Sequence, residues 1–163
     1  MNITYSPIGV IDSPFRHIEK MPIQPAAAVG IRGTVEVDAE FADGLRDLDG
    51  FSHIILLYHF HRAGQVKLTV MPFLDTDPRG LFATRAPSRP NPIGLSVVKL
   101  LRVEGRTLHI ENVDILDETP LLDIKPYVPK FDHWVAERTG WLASAGHRVE
   151  GARADDRFGI EEL

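Results

Sequence analysis

Residues 93–113 read IGLSVVKLLRVEGRTLHIENV, and this stretch decides the fold class. Ile93, Leu95, Val97, Leu101 and Val103 recur on one face at even spacing. After Glu104, Gly105 and Arg106, Leu108 and Ile110 alternate with Thr107, His109 and Glu111. A period of two is that of an extended chain whose side chains point to opposite faces in turn, so both runs read as strands. Gly105 in the connection makes the pair a hairpin. Working outward, Ile3 to Ile11, Gly30 to Val37, Phe51 to His61, Val66 to Phe73 and Leu121 to Tyr127 carry the same strand signal, and most are bounded by Gly, Pro or Asp. Phe51 to Phe60 is nearly continuous apolar sequence, which suits a central strand covered on both faces or one closing a barrel. Seven strands would expose sheet edges that closure removes, so the expected fold is mainly β: a small single-domain barrel with short helices. A short helix is expected over Glu40 to Leu48 and a longer one from His133 to Ala145, capped by Asp132 and stopped by Gly146. From Gly151 the sequence turns polar (ARADDR, EEL), which predicts a domain over residues 1–150 and a loosely ordered tail over 151–163.

The 163 residues suffice for one self-sufficient core, and 44% hydrophobic with 25% charged residues is ordinary for a globular domain. No run approaches the roughly 20 apolar residues of a membrane span, and MNITYSPIGVIDSPFR lacks the features of a signal peptide, so a cytoplasmic protein without a membrane partner is expected. The absence of cysteine excludes disulfides, thiolate nucleophiles and thiolate zinc sites. A net charge of -5 argues against holding nucleic acid by bulk electrostatics, but the charge is uneven. Arg79 to Arg106 holds six basic residues and one acid, whereas Thr34 to Gly50 holds six acids and one base. One face can attract an anion, although solvated surface positions would give the same pattern.

Three proline-bearing loops carry the polar groups that chemistry would need. Residues 21–25 read MPIQP, residues 85–94 read RAPSRPNPIG and residues 117–129 read DETPLLDIKPYVP. Pro87, Pro90 and Pro92 stiffen the second loop, because each fixes φ and removes an N–H donor. Arg85, Arg89 and Asn91 on it suit phosphate or carboxylate binding, or else tie down the loop's own carbonyls. Asp117, Asp123, Lys125 and Tyr127 offer acid, base and phenol close together, a grouping that an ordinary ion pair also explains. There is no Gly-x-Gly-x-x-Gly, phosphate-loop or Gly-x-Ser-x-Gly motif, which sets aside Rossmann and serine-hydrolase chemistry. His59 and His61 are two apart, but spacing signals no third ligand, and polar residues at a pocket mouth are preferred to a metal site. Asp75 and Asp77 in FLDTDPRG read as a turn with capping carboxylates, since a calcium loop's glycine and terminal Glu are missing.

FATRAPSRPNPIGLS (Phe82 to Ser96) and DILDETPLLDIKPYVP (Asp114 to Pro129) resemble the two signatures of the TsaA-like S-adenosylmethionine-dependent tRNA methyltransferases. GVIDSPF, MPIQP, EFADGLRDLDGFSHI and YHFHR support the resemblance in order from Ile8 to Asp132. It implies a small β-barrel that binds S-adenosylmethionine without a Rossmann fold, in a pocket near a homodimer interface. It also implies methylation of N6 of threonylcarbamoyl-adenosine at position 37 of tRNA. By the motifs, Pro22, Ile23, Gln24, His61, Arg62, Arg85, Leu95, Leu116, Asp117, Glu118 and Thr119 would hold the cofactor, with Asp117 or neighbouring carbonyls facing the sulfonium. Arg89, Asn91 and Lys125 would meet the tRNA. Direct displacement of the methyl group asks mainly for alignment, so no catalytic residue is fixed. Asp123 and Tyr127 are candidates for taking the acceptor's proton, and a structural role suits both equally. Two positions depart from the family pattern: Ile23 stands where the first loop usually has Arg, and Glu118 where the last usually has Gly. The chain also ends where some relatives carry a further domain. The alternatives are a methyltransferase for another acceptor and a non-catalytic barrel binding an anion or nucleotide.

Overall fold

The computed structural model describes residues 1–19, 21–143, 153–155 and 157–158. Along the chain run β1 (Gly9–Asp12), β2 (Arg32–Val37), β3 (His53–His59), β4 (Thr69–Val70), β5 (Arg79–Gly80), β6 (Ile93–Glu104), β7 (Thr107–Glu111), β8 (Thr119–Pro126) and one helical turn, α1 (Pro129–Asp132). Six strands close into a barrel in the order β1-β2-β7-β6-β3-β8, with β8 pairing back onto β1. Every pairing is antiparallel. β4 and β5 form a separate two-stranded ribbon. The fold is thus mainly β and closed, and β3 lies between β6 and β8 as its apolar run predicts.

Side chains alternating inward from each strand fill the barrel, among them Ile54 and Leu56 of β3, Val98 of β6, Leu108 and Ile110 of β7, and Leu121 of β8, all fully buried. The β6–β7 hairpin turns through Gly105 and Arg106, with Gly105 at φ 61° as a tight two-residue connection requires. The inward face of β6 carries small residues at its start, Gly94 and Ser96, because the Tyr58 ring of β3 occupies that part of the interior. Its larger residues Ile93 and Leu95 therefore point outward and are exposed. The single shared face read for Ile93 to Val103 needs correction. A β-bulge at Leu101 shifts the register, so that Val103 pairs with Leu108 and packs against the core while Ile93 and Leu95 lie outside.

Other elements are shorter than the sequence pattern suggests. β1 begins only at Gly9, and the run Val66 to Phe73 yields a two-residue strand. Glu40 to Leu48 forms 3-10 turns, Ala39–Leu45 and Leu48–Gly50, separated by Asp47 at φ 65°. The helix expected from His133 to Ala145 is absent from the described part of that span. Asp132 ends α1 instead of capping a following helix, and its carboxylate accepts the Val128 N–H at 2.6 Å. His133 is extended, Gly140 takes φ 58°, and a short 3-10 turn spans Gly140–Ala143. The Trp141 Nε1–H donates to the Ala83 carbonyl at 2.8 Å, tying this turn to the protein instead of letting it extend the helix. Residues 144 and 145 and the expected stop at Gly146 lie outside the described residues.

The described part of the tail is docked, not loose. Phe158 is buried with Val70, Leu81 and Ala86, stands edge-on to Phe73, and accepts the Gly64 N–H at 3.1 Å. An apolar residue in a polar segment is enough to anchor it where a satellite cluster offers a socket. Among the described residues no helix is long and apolar enough to cross a membrane.

Candidate functional site

Among the segments that meet around one cavity of about 790 Å³ beside the barrel, five supply its candidate binding groups. The first contributes Pro22, Ile23 and Gln24, and its position is fixed by the Ala154 N–H donating to the Met21 carbonyl (2.8 Å) and by a bridge between Pro22 and Arg153. Phe60, His61 and Arg62 follow the end of β3. The proline-rich loop supplies Thr84, Arg85 and Arg89, and the start of β6 supplies Ile93, Gly94 and Leu95. The β7–β8 connection closes the set with Asp114, Leu116 and Thr119. Across the mouth, Arg85 Nη1 donates to Gln24 Oε1 at 2.7 Å, linking the first and third segments.

Polar groups within the cavity are specifically aimed. Thr119 Oγ1 donates to the Leu116 carbonyl at 2.7 Å, so its contact with His61 Nδ1 at 3.3 Å makes that nitrogen the donor and leaves Nε2 as an acceptor. Burial, with Arg62 and His59 adding to it, holds the His61 pKa below the usual histidine range, so the ring is neutral near pH 7. Asp114 lies at the barrel wall, where Ser96 Oγ donates to its Oδ1 at 2.6 Å and the buried Tyr58 hydroxyl lies 3.0 Å from Ser96 Oγ. Burial raises the Asp114 pKa to about 6, against the stabilising bond from Ser96 and the more distant charge of Arg85. Burial also raises the Tyr58 pKa, so the phenol stays protonated.

The family model for the tRNA-methyltransferase O N-terminal domain matches residues 10–133. This chain belongs to that family. The matched span contains β1 through β8 from its second residue on, together with most of the segments around the cavity. A Pyrococcus abyssi protein named "Probable S-adenosyl-L-methionine-binding protein" is 57% identical over 96% of this chain and 85% of its own length. The tRNA (adenine(37)-N6)-methyltransferase of Homo sapiens is 35% identical over 80% of this chain, which spans only 31% of that protein. The crystal structure of TrmO from Pseudomonas aeruginosa superposes with a TM-score of 0.73 at 41% identity, covering 86% of this chain and 63% of that one.

Of the residues expected to hold a ligand in this TrmO-like domain, Pro22, Ile23, Gln24, His61, Arg62, Arg85, Leu95, Leu116 and Thr119 all line the cavity. Asp117 and Glu118 do not. The Asp117 carboxylate accepts the Ser13 N–H at 2.9 Å, and the Asp117 N–H donates to the Phe15 carbonyl at 2.8 Å, so this residue secures the turn after β1 outside the cavity lining. Glu118 is exposed with φ 58°. Arg89 lines the cavity, yet its Nη1 is bonded to the Thr84 and Ala86 carbonyls at 3.0 and 3.3 Å, and the guanidinium stacks over Phe82. It holds the proline-rich loop in shape. Asn91 is exposed and outside the lining. Lys125 pairs with Asp123 at 2.7 Å on β8. Neither Asp123 nor Tyr127 touches the cavity. Tyr127 stacks edge-on to His53, and its N–H donates to the His53 carbonyl, at the far end of β3 from the site.

Asp75 does form the turn expected of it, accepting the N–H groups of Thr76 and Asp77 and pairing with Arg79. His59 closes β3, whereas His61 lies beyond it in the following turn, so the two do not share a strand face. Among the described residues no group of three or more His, Asp or Glu side chains is arranged around a metal position. No sequence motif marks Asp114, Ser96 or Tyr58 as a site residue. Their trace in the sequence is that Tyr58 opens YHFHR and that Ser96 and Asp114 stand at the ends of the two signature strings.

Proposed function

We propose that this chain binds S-adenosylmethionine in the cavity and transfers its methyl group to N6 of adenosine 37 of tRNA, in the threonylcarbamoyl-modified form of that nucleoside. One observation carries the reading: segments separated by as many as 97 positions, Pro22 to Thr119, converge on a single cavity of about 790 Å³. That size is within the range of small-molecule sites, about 300–1,000 Å³. The donor set fits the cofactor's chemistry. Arg62 and Arg85 can meet a carboxylate, Asp114 a positive charge, Thr84 and neutral His61 hydroxyl or base edges, and Phe60, Leu95 and Leu116 the apolar parts. When bound, S-adenosylmethionine supplies an activated methyl group, and the chain's own residues bind, orient and exclude water. Family membership and the human relative's name support the reaction and its acceptor.

Three further elements belong to this reading. Residues 1–150 act as the cofactor-binding domain, with 151–163 as its tail. A homodimer forms over the apolar positions beside the cavity, where Leu95 is 52% and Phe82 75% exposed. The tRNA backbone approaches the cationic rim formed by Arg62, Arg85 and Arg89, in the cytoplasm where its acceptor resides.

The experiment is calorimetry with S-adenosylmethionine, followed by transfer of labelled methyl to tRNA lacking this modification and by mass spectrometry of nucleosides from a deletion strain. Binding, transfer and loss of the N6-methylated nucleoside are expected, with transfer weakening as salt rises. Binding without transfer to that tRNA would favour a different acceptor. Absence of both would leave a barrel that binds another anion. Sedimentation giving a monomer at assay concentration would reject the dimer.

A further inference from the structure

We propose that the Asp114 carboxylate is a cation-binding position in the cavity, which takes the positively charged ammonium or sulfonium of the cofactor's amino-acid end. This rests on the S-adenosylmethionine reading and adds the ligand's direction to it.

The polarity of the hydrogen bonds is the starting point. Ser96 Oγ has one proton, which it gives to Asp114 Oδ1 at 2.6 Å, so the Tyr58 hydroxyl 3.0 Å away must donate to Ser96. A chain of O–H groups therefore runs outward from the barrel core and ends on a carboxylate that lines the cavity. Both anchors are buried, Ser96 at 1% and Tyr58 at 5% exposure, so the carboxylate is held in one place. Among the described residues no cation lies within the 4.0 Å of an ion pair with it. Arg85 acts on it only at longer range, and the Nη1 of that guanidinium is committed to Gln24.

A carboxylate desolvated in this way is costly unless a counter-charge arrives. Among the described residues, the groups around the cavity besides Asp114 that bear charge or titrate are Arg85, Arg62, Arg89, His61 and Tyr58. His61 is held neutral and Tyr58 protonated, and Arg62 and Arg85 are exposed. Among the described residues none pairs with Asp114 to neutralise it, so the space in front of it suits a ligand cation. The rim arginines then suit the same ligand's carboxylate. The ligand is thereby placed with its positive charge toward the barrel and its negative charge toward the mouth.

The test compares the wild-type chain with Asp114→Asn by calorimetry against three probes. S-adenosylmethionine carries the ammonium and the sulfonium, S-adenosylhomocysteine the ammonium alone, and methylthioadenosine neither. Loss of a charged contact predicts that S-adenosylmethionine binds Asp114→Asn about 10- to 100-fold more weakly while methylthioadenosine is unchanged. Equal weakening of S-adenosylhomocysteine identifies the ammonium, and its sparing identifies the sulfonium. Equal effects on all three probes, or no effect on any, would overturn the proposal. Should wild-type protein bind none of the probes, the methyltransferase reading itself falls. If Asp114→Asn does not fold, the wild type decides alone: S-adenosylmethionine affinity must rise between pH 5 and pH 7 while methylthioadenosine affinity stays flat, and parallel profiles refute the site.

Discussion

A Cβ built on Gly94 would lie 2.2 Å from the Tyr58 ring, so the phenol packs directly on the glycine backbone of the neighbouring strand. That approach lets the Tyr58 hydroxyl reach Ser96 two residues on, and through Ser96 the cavity carboxylate. Gly94→Ala must displace a buried ring within a closed barrel. A loss of roughly 1–3 kcal/mol is expected from such overpacking, together with weaker cofactor binding. Denaturant unfolding and calorimetry on the same variant measure both, and wild-type stability would show that the ring has room to move.

The pH dependence of the ligand-free protein should carry the mark of Asp114. Its folded pKa of about 6 lies above the ordinary 3.8, so between those values the native state binds more protons than the unfolded one. Stability contributed by this group is therefore present at low pH and lost as pH rises toward and through 6. Asp114→Asn removes the charge but keeps an acceptor for Ser96. Above pH 7 the variant should be more stable than wild type by on the order of 2 kcal/mol, with the difference vanishing near pH 4. Asp12 is raised by the same cause and Asp75 and Asp155 are lowered, so the comparison must be between the two chains and not along one curve. Identical curves for both proteins would place the proton elsewhere.

Glu118 occupies the left-handed region at φ 58°, where a side chain costs roughly 1–2 kcal/mol and glycine nothing comparable. Its side chain is exposed. Glu118→Gly should raise stability by about 1 kcal/mol, readable as a shift in the unfolding midpoint. An unchanged or lower midpoint would mean that the carboxylate compensates the strain.

Leu95 points out of the barrel into the cavity and is half uncovered. Leu95→Trp adds bulk there without entering the core, so stability should change by less than about 0.5 kcal/mol while S-adenosylmethionine affinity falls roughly tenfold or more. An unchanged affinity would remove this residue from the site.

Arg85 bridges the two loops at the mouth through Gln24. Because the pair is exposed, Arg85→Ala should cost stability at most about 1 kcal/mol. Its effect belongs in binding, where losing the cation should weaken S-adenosylmethionine several-fold and methylthioadenosine less. Equal weakening of both would assign Arg85 to loop geometry alone.

The sequence by itself determined the β class, the β6–β7 hairpin, the central place of β3 and the stiff proline-rich loop, and nine of the eleven positions it offers for a cofactor line one cavity. These are local periodicities and contiguous motifs, which a linear reading retains. Tertiary structure decided the rest. The bulge at Leu101 turned Val103 inward, a parity change that shows only when two strands are paired. Gly140 and the docking of Trp141 on Ala83 overrode a helical pattern after Asp132. Phe158 found its partners in Val70, Leu81 and Ala86, more than 70 residues earlier. Asp117 was claimed by Ser13 at the end of the adjacent strand β1, whereas Asp114, three residues before it, received Ser96 and the cavity. Nothing along the chain distinguishes those two aspartates in DILD. Barrel closure fixes which one is desolvated and which one holds a turn, because burial and hydrogen-bond partners are set by residues about twenty to a hundred positions away.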